Sequence, residues 1–511
     1  MKELQPFGEL ACEKDLEKLG GEKEYSKYFF YNTPFNKKAL DKSVYLIIGR
    51  RGSGKTALSH YFSFQSERPN SIAIDVDEPE AYQRVMASID LKDSLTREIA
   101  IPQLVKIWEL IFWSILIREL RNRDKRIKAA CLLEPENGKT STFIVKLIKS
   151  LISKYTETKE ELTDELEKLI SSDRIEAAKE AIYEIAKKQD IVIAFDTLEN
   201  YEVKDESMMR VIASLIQSVS RFHDKSSQHN IQMKLFVMAE ILPYLHEEIV
   251  LNPLKSIANE VYLHWRPRDL LRLISWRFWH YMKAVGMDRV EEKAINWDDY
   301  DDVLKKCWQP FFGKELSNGG GLTENTFPYV LRHTQMRPRQ LIMYCNNVAE
   351  KARSKGTFPF FDSKDLVSGV KDAEVRLAKE VFNSYSTVYP NAAQIADALT
   401  GMPAIFEGKD LDKVAPQTSS VWKGGNYSPY EFRKFVAELG IVGRVRKHHE
   451  RSGIVEADFE YAQDDRLAIT VKDLCVIHPM FYKKLHIRMN EKIIVYPFPD
   501  HPEYTELICT P

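Results

Sequence analysis

Glycine and cysteine are both scarce in this chain: 21 and six of 511 residues. Cys12, Cys131, Cys307, Cys345, Cys475 and Cys509 stand singly, and without a CxxC pair neither a zinc site nor a dithiol redox site is expected. The expected compartment is the reducing cytoplasm. Neither charge dominates, with 73 Lys and Arg against 75 Asp and Glu, so no global positive field exists to hold nucleic acid and any such binding must be local. The start, MKELQPFGELACEKDLEKLG, has acids where a signal peptide needs an apolar core, so export is not expected. Long apolar runs are missing too. The most apolar window, Leu104 to Leu120, is interrupted by Lys106 and Glu109, which predicts a buried or amphipathic helix and no membrane contact. No internal repeat is visible. What remains is an ordinary globular composition, 44% hydrophobic and 29% charged. A soft prior of about 150 residues per domain predicts three or four units.

Three of these glycines gather ahead of a lysine and a threonine. In VYLIIGRRGSGKTALSHYF, Val44 to Phe62, Gly49, Gly52 and Gly54 fall close together and Lys55 and Thr56 follow at once. Around them strands and helices alternate. Val44–Ile48, Ser71–Val76, Ile191–Phe195, Lys234–Met238 and Glu260–Trp265 read as strands. Helical stretches start near Thr56 and cover Pro102–Arg121, Phe143–Lys188 and Met208–Phe222, the last with apolar residues at Met209, Ile212, Ile216, Val219 and Phe222. Five strands separated by helices predict an α/β fold, a parallel sheet with helices on both faces. The glycines then sit beyond the carboxyl end of a strand, where such sheets bind ligands.

GRRGSGKT, Gly49 to Thr56, is the P-loop (Walker A) pattern GxxxxGKT. Its glycines let backbone N–H groups wrap a polyphosphate while the next helix points its partial positive end at the anion. Gly49, Arg50, Arg51, Gly52, Ser53, Gly54, Lys55, Thr56 and Ala57 are the candidate ATP-binding residues, with Lys55 reaching the β and γ phosphates and the Thr56 hydroxyl on Mg²⁺. IVIAFDTLENY offers the second metal contact (Walker B): Asp196 ends an apolar strand and can hold the ion's water shell. Thr197 follows, so Glu199 is the nearest candidate base; the plain alternative is an acid near a helix N-terminus.

The P-loop, Asp196-x-x-Glu199 and a later Met336-Arg337-Pro338-Arg339-Gln340-Leu341 together resemble the AAA+ and STAND classes of P-loop ATPase, over about residues 25–490. The closest likeness is to prokaryotic stand-alone ATPases with helical and winged-helix modules after the core. In NACHT-type STAND proteins the second acid also lies three residues after the first, which suits Glu199. The resemblance implies that Arg339, or alternatively Arg337, is a sensor-2 arginine reaching the γ phosphate from a helical lid. It also implies that Phe29, Phe30, Tyr31 and Phe35 lie near the adenine, with core packing the alternative. Departures exist. Met238-Ala239-Glu240 stands where STAND proteins often carry an arginine and AAA+ proteins a neutral polar residue, and Ile241 to Asn259 has no arginine to serve as a trans finger. Ring-type action is therefore in doubt.

The expected domains are an N-terminal segment, 1–40, on the ATPase core; the core, 41–285, with a helical insertion near 130–190; a lid, 286–385; and a winged-helix-like domain, 386–511. Asp298 to Asp302 and the linker Ser317-Asn318-Gly319-Gly320-Gly321 lead to helices over Thr323–Lys355 and Asp362–Tyr385. A helix from Ser428 to Leu439 then precedes two strands around a charged turn, Arg444 to Gly453. Arg444, Arg446, Lys447 and Arg451 could touch DNA phosphates; basic hairpin tips are also solvated edges that resist aggregation. Arg118–Lys128 reads as a solvated helix end. The leading expectation is an ATPase acting as a switch on a protein partner or effector subunit, in a homo-oligomer or hetero-complex; by resemblance, such proteins often serve in bacterial antiphage defence. The second is a DNA-binding initiator-type ATPase. A small-molecule kinase is disfavoured by the length of chain beyond the core.

Overall fold

The structure is a computed structural model; it describes residues 4–30, 32–64, 68, 71–75, 97–131, 146, 167–196, 206–244, 259–287, 294–422, 427–462, 466–488 and 493–497. The chain forms two compact units, residues 31–264 and residues 1–30 with 265–511. The segment 1–40 is thereby divided, its first 30 residues grouping with the second unit.

In the unit 31–264, β1 (Leu46–Gly49), β2 (Ser71–Asp75), β3 (Asp190–Asp196), β4 (Ile231–Met238) and β5 (Glu260–Tyr262) form one sheet ordered β2-β3-β4-β1-β5. Every neighbouring pair is parallel. Runs such as Ile191–Phe195 do not alternate with polar residues because both faces of a parallel sheet are covered. On one face Ile191, Ile193 and Phe195 join Ile231, Met233 and Leu235 in a core with residues of the helices Arg97–Leu120 and Glu206–Ser226. Phe112 meets Phe195 edge-on at 5.6 Å. The two charges that interrupt the apolar window point outward: Lys106 pairs with Glu167, and Glu109 lies 3.9 Å from Lys225. Among the described residues no helix is long and apolar enough to cross a membrane.

The opposite face carries the helix Lys55–Ser63, where Phe62 meets Phe236 at 6.5 Å. Lys234, fully buried on β4, donates from Nζ to the carbonyls of Ala39 at 3.0 Å and of Asp41 and Val44 at 2.6 Å each. It thus fixes the segment that enters β1. Of the charged stretch Phe143–Lys188, the described part contains the helix Asp173–Ala186.

The second unit is mostly helical near its start. Phe7 stacks on Phe278 of the helix Pro267–Ala284 at 4.7 Å and also approaches Phe312 and Phe361. The expected linker 317–321 is instead the turn of a hairpin, β6 (Glu315–Ser317) with β7 (Thr323–Asn325). Asn318 makes that turn, accepting on its side chain from Gly320 N and Leu322 N. The span Thr323–Lys355 is likewise not helical throughout. It comprises β7, a helix Thr326–Leu331 and a helix Pro338–Lys355. Pro338 forces its predecessor out of the helical region: Arg337 is extended at φ −114°, ψ 130°, and Met336 takes a left-handed φ of 55°. The next helix, Ser363–Ser384, matches expectation and is capped by Asp362, which accepts from Asp365 N.

A second sheet, ordered β12-β10-β9-β11-β8, closes the chain: β8 (Ile405–Glu407), β9 (Val442–His449), β10 (Ile454–Asp458), β11 (Leu474–Ile477) and β12 (Ile494–Tyr496). The helix before it is Pro429–Glu438, capped by Ser428. The strands run longer than the expected charged turn, so Arg444, Arg446 and Lys447 lie on β9 and the turn is reduced to residues 450–453.

Candidate functional site at the carboxyl edge of the parallel sheet

β1 ends at Gly49, and the chain turns through Arg50–Gly54 into the helix Lys55–Ser63. Each glycine of the loop has its own reason. A Cβ on Gly49 would lie 2.4 Å from Ser53 Oγ, 3.1 Å from Leu263 Cδ1 and 3.2 Å from Lys55 Cγ, so the side chains packed on this position would have to shift to admit one. Gly52 and Gly54 take φ of 80° and 98°, the left-handed region that L side chains rarely enter. The turn is closed by Ser53 N donating to Arg50 O at 3.0 Å.

Lys55 opens the helix and is 4% exposed. Its Nζ turns back along the loop, donating to Gly49 O at 3.1 Å and Arg50 O at 3.3 Å. Thr56 and Ala57 follow in the first helical turn, both partly buried. A loop rich in glycine that leads into a helix N-terminus presents backbone N–H groups and the positive end of the helix dipole together, an arrangement suited to an anion.

β4 lies between β1 and β3, and its tip is tied to the loop. Ala239 N donates to Gly49 O at 3.1 Å. Arg51 N then donates to the side chain of Glu240, reaching Oε1 at 3.0 Å. On β3, Asp196 ends the strand opposite Phe236 and is 4% exposed. The loop, Glu240 and Asp196 therefore share the carboxyl edge of one sheet. Glu199 and Thr197 lie outside the described residues, as does Tyr31.

Arg337 and Arg339 belong to the unit of residues 1–30 and 265–511. Arg337 is the residue before Pro338 and is 3% exposed. Arg339 is half-buried; its Nε donates to Leu10 O at 3.2 Å and its guanidinium lies 3.4 Å from Glu380. Arg339 is thus held locally at the start of its helix, and the Arg337 carbonyl there accepts from Gln340 N at 3.1 Å and Leu341 N at 3.2 Å. Arg268, at the start of the helix Pro267–Ala284, donates to Asp298 O at 3.1 Å, and Arg272 pairs with Asp298 at 2.7 Å, which gives the acidic stretch a packing role. Phe30 lies under the Arg272 guanidinium at 5.3 Å, Phe29 packs on Tyr25, and Phe35 is buried in the other unit.

The basic residues of the hairpin are less free than their sequence suggests. Asp458 on β10, 3% exposed, pairs with both Arg444 at 3.5 Å and Arg446. His449 pairs with Glu456 at 2.7 Å. In the stretch 118–128, Arg126 is held by Asp124 and Glu184. The described cysteines form no disulfide, and burial pushes Cys307 and Cys475 up to about 12, which keeps them protonated.

The contact missed by sequence reading is that of Glu240. Its position two residues past an apolar strand was visible; its partner was not, because the pairing depends on β4 lying beside β1. Residues 304–372, which include the β6–β7 hairpin, Arg337 and Arg339, match a family described as the FunZ-associated C-terminal helical domain. No curated protein matches the chain.

Proposed function

We propose that this chain is a P-loop ATPase of the AAA+/STAND type that works as a molecular switch on a partner protein. The observation that carries the reading is the loop 49–57: two left-handed glycines and a buried lysine at the first position of the following helix, on the carboxyl edge of a parallel sheet. Lys55 sits where its ammonium can leave the carbonyls of Gly49 and Arg50 for the oxygens of a bound triphosphate. Thr56 and Asp196 fit a magnesium ion by chemistry, a hydroxyl and a buried carboxylate at the same sheet edge. That ion would neutralise charge on the β and γ oxygens. Glu199 then orients the attacking water; for Arg339, or Arg337, of the lid segment 286–385 the resemblance implies the sensor-2 role.

The residues beyond the lid take the role of a winged-helix-like module whose packing follows nucleotide state and so controls a protein partner or effector subunit. By resemblance the setting is cytoplasmic and serves bacterial antiphage defence. The initiator reading, in which this module binds duplex DNA, is weakened by Asp458, which already engages Arg444 and Arg446.

The test is nucleotide binding in Lys55→Ala. Mg-ATP should raise the melting temperature of the parent by linkage, and the variant should lose that rise along with phosphate release from ATP. An unchanged rise in Lys55→Ala sinks the reading.

A further inference from the structure

The tip of β4 holds the leading half of the loop by two bonds in succession. The strand ladder between β1 and β4 runs from Leu46 paired with Leu235 to Gly49 paired with Met238. Main chain continues it for one more step, Ala239 N to Gly49 O at 3.1 Å. The next bond is made by a side chain: Arg51 N donates to Glu240 Oε1 at 3.0 Å. Glu240 is 5% exposed, so this carboxylate has been taken out of bulk water to make the bond. A charge-assisted bond from a backbone N–H is among the stronger ones available to such a group.

Two consequences follow for any anion that enters the loop. The bond fixes Arg51, and with it the entry to the turn through Gly52, so the N–H groups beyond it are held ready. The same side chain also places a negative charge beside the loop, with few waters to screen it. Position and charge act in opposite directions on affinity. An isosteric amide separates them, because Gln keeps a carbonyl oxygen for Arg51 N–H and removes the charge.

We propose that Glu240 is a positioning residue of the phosphate site: through Arg51 it holds the leading half of the loop, and its carboxylate sets how strongly the loop accepts the anionic polyphosphate of a nucleoside triphosphate. This rests on the nucleotide reading above. A loop with a neutral acceptor at this place would bind triphosphate more tightly; the acid makes the loop easier to empty, as a switch requires.

The experiment measures the Kd for Mg-ATP of the full chain as parent, Glu240→Gln, Glu240→Ala and Lys55→Ala, at low and high salt. Glu240→Gln should bind about tenfold to a hundredfold more tightly than the parent, the gain expected from removing one like charge several ångströms from the phosphates at an intermediate effective dielectric. The gap should persist as salt is added, because a buried charge beside the loop is screened by added ions much less than an exposed one. Glu240→Ala, which loses charge and acceptor together, should bind more weakly than Glu240→Gln. A side chain that merely packs would give no gap between the parent and Glu240→Gln at either salt concentration. If Glu240→Gln binds no more tightly than the parent while Lys55→Ala loses binding, the inference is overturned and the nucleotide reading stands. If Glu240→Ala equals Glu240→Gln, the positioning role is overturned. A parent that does not bind Mg-ATP, or a Lys55→Ala variant that binds like the parent, overturns both.

Discussion

Lys234→Met is expected to destabilise the unit of residues 31–264 by about 2–4 kcal/mol, the cost of leaving buried carbonyls without their donor. The lysine is fully buried and donates to three backbone carbonyls, those of Ala39 at 3.0 Å and of Asp41 and Val44 at 2.6 Å each. Burial pulls this ammonium down to about 7, so near neutral pH its bonds draw only partly on the charge-assisted strength of about 1.5–3 kcal/mol apiece. Dehydrating the ammonium offsets several kcal/mol of that. Methionine conserves most of the volume and removes the dehydration cost, but it leaves the buried carbonyls of Ala39 and Val44 without this donor; the carbonyl of Asp41, an exposed residue, keeps its bond from Val44 N at 3.2 Å. The loss is a large share of a typical domain stability of about 5–15 kcal/mol. Urea unfolding of the full chain would report the shift, and hydrogen exchange would localise it to residues 39–46, the segment that the lysine pins ahead of β1. A variant within about 0.5 kcal/mol of the parent, the ordinary range for a surface change, and with unaltered exchange in that segment, would refute the idea that Lys234 is a staple.

Two further outcomes can be checked on the same protein. Burial raises Glu374 from 4.5 to about 8, against the opposing pull of Arg332, and His333 Nε2 lies 3.8 Å from its carboxyl. The folded chain therefore holds a proton that the unfolded chain releases, so this group's contribution is fully present below about 4.5 and is lost as pH rises through about 8. In Glu374→Gln the melting temperature should fall less between pH ~5 and ~9 than in the parent, with the variant ahead at the alkaline end by at most about 1.4 kcal/mol per pH unit of the window; parallel curves would show that the carboxyl does not titrate there. Glu199→Gln should keep ATP affinity and slow hydrolysis by roughly 10²–10⁴-fold, as for a lost general base, whereas Asp196→Ala should weaken Mg²⁺-dependent binding as well. Parent-rate turnover in Glu199→Gln would remove that residue from the chemistry.

The sequence alone determined what is local. A run of buried apolar residues ending in a glycine-rich turn and a helix start is written within Val44 to Phe62, and the structure places β1, the turn and the helix Lys55–Ser63 there. Strand and helix positions elsewhere in the sheet were also legible, because periodicity and propensity act over a few residues. Where two local signals compete, the sequence was less clear: Pro338 broke a span that reads as helical, and three glycines that read as a linker form a hairpin turn. What tertiary structure decided is which distant residues meet. Arg51 and Glu240 are 189 positions apart, and their bond exists because β4 lies between β1 and β3. Lys234 reads as one more charge in the sequence until the fold closes three carbonyls around it. Arg444 and Arg446 read as a phosphate-binding edge until β10 sets Asp458 beside them. Residues 1–30 join chain from beyond 265 because Phe7 finds its aromatic partners at Phe278, Phe312 and Phe361. Strand order and the charges it pairs are products of global packing, in which many weak contacts are satisfied together, and no short stretch of sequence carries them.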